Sequence, residues 1–398
     1  NRIMLDFIIK NIYLFSAAGM LSIGHLYDER LAIYNINITL IISIFYFISA
    51  LLLILKNKTM TISVSKFIFY LFFILLVIIN LINWMIFGAN DYGIDKFIFF
   101  SLIVIPSCYI AIEVLNQQDI NKFLWILVGV STMLLLLGLF NLEEISSFEG
   151  GRITAMGGGP IVFSRWMMFA VLVILFNKNK YSKYLYLLIP LFLFMSFTAG
   201  SRGPLYAFVI ILCLYFLFSF RKNFIKVVVI SFLGFTSITT LSLTENDKGA
   251  GSQSTSRIFN MSIGSYARID RVRRSVKLVP KAPFGVGIGN WAQESNKFSN
   301  HQHEDTQYSH NIFLELINES GIVVLLLFVI LLITILDSSL FLLFFQENYY
   351  SVRITFVLFS YFLINALVSG DIVDNRLMFI MLALFIRERL SLQRISNE

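Results

Sequence analysis

Apolar runs of about 20 residues recur along this 398-residue chain, and a run of that length is what a helix needs to cross a bilayer core of roughly 30 Å. That recurrence constrains the fold more than any motif does. In hydrocarbon every backbone N–H and C=O has to be paired within the segment, so such a chain resolves into spanning helices joined by polar connections. Composition supports the same class: hydrophobic residues make up 57% and charged residues 14%, with a mean hydropathy of +0.78, where a soluble domain is about a quarter charged. The expectation is an all-α polytopic integral membrane protein with about 12 transmembrane helices. The spans fall near 3–23, 36–55, 66–87, 96–115, 122–140, 160–176, 184–199, 204–220, 224–243, 313–336, 352–369 and 375–387, the last of them short. One membrane domain over 1–398 is expected, with a large loop, 244–310, embedded in it.

The connections alternate in charge. Lys56/Lys58/Lys66, Lys178/Lys180/Lys183, Arg221/Lys222/Lys226 and Arg387/Arg389/Arg394 fall on every second connection or at the C-terminus, and acidic groups such as Asp91/Asp95 and Glu143/Glu144 fall between them. Basic residues in short loops mark the cytoplasmic side, which places both termini there and the 244–310 loop in the periplasm. The net charge of +7 follows from this flanking pattern and does not point to nucleic acid. Cys108 and Cys213 sit in well-separated apolar runs, as free thiols and not a disulfide framework. The first apolar run has no small-residue cleavage site, so no cleavable signal peptide is expected.

The long loop departs from the charge rule. From Arg257 to Lys281 it carries seven basic residues (Arg257, Arg268, Arg271, Arg273, Arg274, Lys277 and Lys281) against Asp270 alone. A solvated helix face would account for this, and so would a site for a polyanion. As a helix, the run places Arg268, Arg271 and Ser275 on one stripe with Arg274 beside it. Arginine suits phosphate because its planar fork donates two parallel hydrogen bonds and keeps its charge. Three more arginines lie where a membrane protein normally avoids them: Arg152 in a glycine-bounded loop, Arg165 about one turn into a span, and Arg202 between two adjoining spans. Arg376, at the start of the last span, is a fourth, with Asp374 beside it as a simpler partner. An arginine at such depth faces a partner or an aqueous cavity, and all four are expected on the periplasmic side.

Pro283-Phe-Gly-Val-Gly-Ile-Gly289 follows no expected strand and opens no βαβ unit, so it reads as a tight backbone path needing positive φ and not as a nucleotide loop. His301, His303, Glu304 and Asp305 are metal-capable, but their spacing matches no ligand motif. No metal and no cofactor are expected. His310 ends the loop at the membrane boundary. A cationic neighbourhood favours the neutral imidazole that a general base requires.

Together these motifs resemble the O-antigen polymerase and O-antigen ligase superfamily. Gly200-Ser-Arg-Gly203 is similar to the family's turn between two spans. Arg268, followed by Pro283–Gly289, resembles its loop arginine and Pro-x-x-Gly-x-Gly turn, and His310-Asn-Ile-Phe-Leu-Glu…Glu-Ser-Gly321 resembles the segment entering the next span. Arg152 and Pro160 resemble an earlier Arg…Pro pattern. The chain departs at Val272, where an aromatic residue is usual, and at Val324, where glycine is frequent. The resemblance implies a membrane glycosyltransferase that takes an undecaprenyl-diphosphate-linked oligosaccharide as donor. His310, Arg202 and Arg268 are then the expected catalytic residues, and Arg152, Arg165, Arg271, Arg274 and Arg376 the expected diphosphate- or glycan-binding residues. Glu315 and Glu319 are alternative bases. A polymerase joining lipid-linked repeat units is the first expectation; its partners would be the lipid-linked donor, membrane lipid and a polysaccharide chain-length regulator. A ligase acting on lipid A core needs the same donor site. A flippase would spread its charges along a central cavity and have short loops.

Overall fold

The computed structural model describes residues 2–26, 32–33, 36–57, 63–140, 159–177, 182–219, 265–298, 308–336 and 350–397. The described residues are helical but for turns and a two-residue antiparallel pairing of Ala32–Ile33 with Ile36–Asn37. In chain order the main helices are α1 (Arg2–Ile23), α2 (Ile38–Lys56), α3 (Val64–Phe87), α4 (Asp91–Glu113), α5 (Gln117–Leu139), α6 (Pro160–Phe176), α7 (Tyr186–Thr198), α8 (Arg202–Ser219), α9 (Ser265–Leu278), α10 (Trp291–Asn296), α11 (Ile312–Ile335), α12 (Tyr350–Ala366) and α13 (Arg376–Asn397). Six of them, α1 to α5 and α11, are long and apolar enough to cross a membrane, and α6, α7, α8 and α12 are shorter apolar helices. Eleven of the twelve expected spans coincide with described helices; 224–243 lies outside the described residues. The last helix runs to Asn397, well past the short span expected at 375–387, and its residues Leu377 to Ile386 are buried.

Helix ends follow local chemistry. Asn116 and Asp119 form a reciprocal capping box that opens α5, satisfying backbone donors that the first turn leaves free. Ser63 and Asn90 cap α3 and α4. Pro160 and Pro190 sit in the first turn of α6 and of the continuous part of α7, where a missing N–H costs nothing.

The chain folds into two compact units. The first comprises residues 1–49, 115–263 and 341–362, and the second residues 50–114, 264–340 and 363–398. In the first, α6 is the packing centre: every residue from Phe163 to Ile174 is buried, and α5, α7 and α8 all pack on it. Polar pairs lock these helices, among them Ser164 with Ser196 at 2.5 Å and Asn177 with Asn121 at 2.6 Å. At the surface of the unit Lys10 pairs with Asp119 at 2.7 Å, joining α1 to α5. In the second unit, phenylalanines fill the core. Phe72 and Phe73 of α3, Phe100 of α4, Phe328 of α11 and Phe379 of α13 meet with ring centroids 5.3–6.1 Å apart. Aromatic pairs at these separations add to the packing that holds helices together in lipid.

Candidate functional site

The second unit holds the site, and it is built around a break in α11. The helix opens at Asn311, whose Oδ1 accepts from the backbone N–H groups of Phe313 and Leu314 at 3.0 and 3.1 Å. It passes through a π-helical turn, Leu316–Ser320, and breaks at Gly321, where φ is 86°. A break inside an apolar helix frees backbone groups that must find partners. The Pro283–Gly289 turn supplies them: Val286 N donates to Asn318 O at 2.9 Å, Gly287 N to Glu319 O at 2.8 Å, and Ile322 N to Pro283 O at 2.9 Å.

Side chains from α3 satisfy the turn from its other side. Asn80 Oδ1 accepts from Ile288 N at 2.7 Å while its Nδ2 donates to Ser320 Oγ at 2.8 Å. Asn83 donates to Phe284 O and Trp84 to Ile288 O. Asn90, ahead of α4, donates to Gly289 O. All three turn glycines, Gly285, Gly287 and Gly289, have φ between 85° and 91°, so the tight backbone path expected from sequence is what the turn adopts.

The glycines grade by what a Cβ would meet. At Gly289 it would lie 2.3 Å from Gly93 Cα, backbone against backbone, whereas at Gly88, with a similar φ of +81°, nothing lies within 4 Å. Gly289→Ala is therefore expected to cost more than the ~1–3 kcal/mol of positive-φ strain alone, Gly88→Ala about that strain, and Gly159→Ala, in open space at φ −60°, close to nothing. Thermal unfolding in detergent that ranked Gly88→Ala as the most damaging of the three would contradict this.

Below the turn lies a buried charge cluster. Lys96 of α4, 1% exposed, sits 2.5 Å from Glu315 Oε1 and 2.9 Å from Glu319 Oε2. Ile372 N donates to Glu315 at 3.0 Å and Gly289 N to Glu319 at 3.1 Å. Tyr92, whose ring lies 5.4 Å from the Lys96 ammonium, donates to Asp371 at 2.5 Å. Both glutamates are thus held by Lys96 and by backbone. Their geometry ties α4, α11 and the 367–375 turn to the glycine turn.

His310 stands just outside this cluster. It has φ 58°, the one positive value outside glycine among the described residues, and an L-residue there carries strain that its neighbours must hold. They do. Ser309 is buried and donates to Asn311 O, and Asn311 Nδ2 donates to Leu367 O at 2.9 Å. The half-buried imidazole packs against Tyr308, ring centroids 4.3 Å apart.

The basic run is helical from Arg268 to Lys277, forming α9, so the stripe considered from sequence exists. Its stripe runs from Arg268, exposed, through Arg271, half-buried, to Ser275 and Leu278, both buried. Ser275 accepts from Trp291 Nε1 at 2.9 Å, and Leu278, Ala282, Val286 and Trp291 form a small apolar core beneath the helix. Arg274 is 2% exposed and pairs with Asp270 at 2.9 Å, donates to Asn296 Oδ1, and lies 5.3 Å from the Trp291 ring. Its guanidinium folds the loop onto itself. Arg271 is pressed below the ordinary arginine range, first by half-burial and then by Arg274; Tyr308 acts in the opposite sense and Arg268 adds to the repulsion. A guanidinium keeps its charge through such a shift. An anion placed there would relieve the repulsion. Helix α9 packs against the first turn of α11, which begins two residues past His310.

Arg376 is buried at the start of α13, where it donates to Val373 O at 2.9 Å and lies 5.9 Å from the Phe99 ring. Arg165 and Arg202 belong to the first unit. Arg165 is 3% exposed on α6, and Tyr361 donates to its carbonyl at 3.3 Å. Arg202 is half-buried and opens α8 just after Gly200, where φ is 62°. Both α6, which carries Arg165, and α8, which carries Arg202, pack within that unit, α8 directly on α6. Arg152 and the His301–Asp305 stretch lie outside the described residues, as does all of 244–264, Arg257 included. Among the described residues no three His, Cys, Asp or Glu side chains group to hold a metal.

Sequence reasoning missed Lys96 and the asparagines of α3. The signal was present: Asn80 sits one helical turn before the adjacent Asn83 and Trp84 in an otherwise apolar run, and polar groups inside such a span have partners by necessity.

These features define a multi-pass membrane protein with a loop of arginines folded beside a histidine. A family described as O-antigen ligase has a model that matches residues 186–329. Over that segment, about a third of the chain, the protein is similar to that family, which supports an O-antigen ligase- or polymerase-type function without separating the two. No curated protein matches the chain.

Proposed function

We propose that the protein is an O-antigen polymerase, joining undecaprenyl-diphosphate-linked repeat units at the periplasmic face of the bacterial inner membrane, through a fold of about twelve spans with both termini in the cytoplasm. The observation that carries this reading is the packing of α9, which presents Arg268 and Arg271, against the first turn of α11, just past His310, whose ring lies against Tyr308. In the reaction an acceptor hydroxyl attacks the anomeric carbon of the donor, and the bond to the diphosphate breaks. The hydroxyl proton passes to a base and the bond's electron pair leaves on undecaprenyl diphosphate. The leaving group gains charge in the transition state, so fixed guanidiniums that hold it more tightly there lower the barrier. Arg268 and Arg271 serve this role, with Arg202 as the family-type arginine of the first unit; Arg152, Arg165 and Arg376 contribute to binding the diphosphate or glycan. His310 takes the proton. Membrane lipid and a chain-length regulator are the further partners in this reading.

Arg202→Ala and Arg268→Ala are each expected to lower turnover about ten- to a hundredfold, the ~1.5–3 kcal/mol of a hydrogen bond to a charged group. Lysine at either position would rescue only in part, because it keeps the charge and loses the fork. Full activity in both alanine variants, measured at normal membrane abundance, would remove the diphosphate clamp. Activity is also expected to survive EDTA. Loss on chelation with recovery on adding a divalent cation would transfer charge stabilisation to a metal, with His301, His303, Glu304 and Asp305 the first ligands to test.

The family description favours a second reading, a ligase that transfers the glycan to lipid A core. Reconstitution with lipid-linked repeat units separates the two. A ladder of longer lipid-linked glycans without lipid A core supports the polymerase, and strict dependence on lipid A core supports the ligase.

A further inference from the structure

Helix α9 has a second face that the reaction does not use. Opposite the buried Arg274, Ser275 and Leu278, the aliphatic residues Ile269, Val272 and Val276 are 65%, 45% and 56% exposed. At about 100° per residue these three fall within an arc of about 60°, roughly opposite the buried side. Charged side chains border the arc on both edges. Arg268 lies on one and Arg273 and Lys277 on the other, all three exposed. Asp270, the one acid of the helix, is turned away and engaged by Arg274.

A narrow aliphatic stripe between two basic edges is the pattern of a helix lying in the plane of a membrane surface. The stripe enters the headgroup boundary, and the long basic side chains reach outward to lipid phosphates. A helix facing water would gain nothing from three β-branched residues on its exposed side, which lower helix propensity and expose apolar surface. We propose that α9 is an interfacial anchor whose Ile269–Val272–Val276 face is seated in an anionic lipid surface. The basic edges commit the occupant: they complement anionic headgroups, where a protein partner would need an acidic rim around an apolar groove.

Seated this way, the helix holds Arg268 and Arg271 at headgroup depth, where the diphosphate of a lipid-linked donor is presented. That corollary rests on the donor reading above; the anchor itself does not.

Spin labels test the anchor directly in the full chain. Cys213, which is exposed, is first replaced by serine, while the buried Cys108 is kept. Single labels are then placed at Val272, Val276, Arg273 and Lys277, and the protein is reconstituted into vesicles containing phosphatidylglycerol. Collision with oxygen, which concentrates in lipid, is compared with collision with a water-soluble nickel chelate. The stripe positions are expected to favour oxygen and the edge positions nickel, alternating with helical period. The contrast should weaken in vesicles of phosphatidylcholine alone. Equal nickel access at all four positions would place the face in water and overturn the proposal. Shielding of Val272 and Val276 from both reagents would mean that protein covers the stripe, and would overturn it too. Either failure leaves the donor reading standing, because the arginine and histidine variants test that separately.

Discussion

His310→Ala is expected to lower turnover by roughly 10²- to 10⁴-fold, the contribution of a positioned general base, while donor affinity stays near normal. The structure gives this expectation a control. His310 is held at φ 58°, so alanine inherits the backbone strain, but glycine releases it. His310→Gly should therefore be as stable as wild type or more so, yet equally slow. A base acts in the transition state, so its loss appears in turnover and not in binding. If donor affinity instead fell in step with turnover, His310 would be a binding residue. Unchanged turnover would remove it from the mechanism. Glu315 and Glu319, the alternatives weighed from sequence, are buried against Lys96 at 2.5 and 2.9 Å, and moving a proton to either would disturb the cluster that holds the glycine turn.

Lys96→Ala is expected to be the most damaging single change to stability, at about 3–5 kcal/mol, because it strands Glu315 and Glu319 together with no counter-charge. The fold should respond where the cluster acts. The break in α11, the Pro283–Gly289 turn and the 367–375 turn would loosen together, and activity would fall with them. Removing charge from all three residues is a sharper test than removing one. Lys96→Met/Glu315→Gln/Glu319→Gln deletes the ions but keeps the volume, and such replacements are often neutral or stabilising. Unfolding midpoints in detergent should place the triple variant well above Lys96→Ala. A triple variant as unstable as the single one would mean that the cluster holds the fold by its charges and not merely by their balance.

The apolar helices were legible because hydrocarbon imposes one length and one pairing rule, and six of them, α1 to α5 and α11, are long and apolar enough to cross a membrane where apolar runs predict. The helical basic run and the glycine conformations were legible for equally local reasons: periodicity and the left-handed φ that glycine alone tolerates freely. Three things were not. The π turn and break at Gly321 do not interrupt the hydropathy of the run from Ile312 to Ile335, which stays apolar enough to read as one span despite Glu315, Asn318, Glu319, Ser320 and Thr334. The docking of the glycine turn on that break depends on pairings across more than 200 residues, such as Asn80 with Ile288. Arg274 read as one more cation of the loop, whereas Trp291, Asp270 and Asn296 surround it. Sequence counts charge well. It does not say which charges are already engaged.

The proposed activity breaks a glycosyl–diphosphate bond and joins the freed glycan to an acceptor. The direct measurement is release of polyprenyl diphosphate by the purified protein in proteoliposomes supplied with lipid-linked repeat units, followed beside glycan length. One polyprenyl diphosphate should be released for each repeat unit joined, without nucleotide sugar, with severe loss of release in Arg268→Ala and His310→Ala. Movement of the intact lipid-linked unit across the bilayer with no diphosphate released would contradict it.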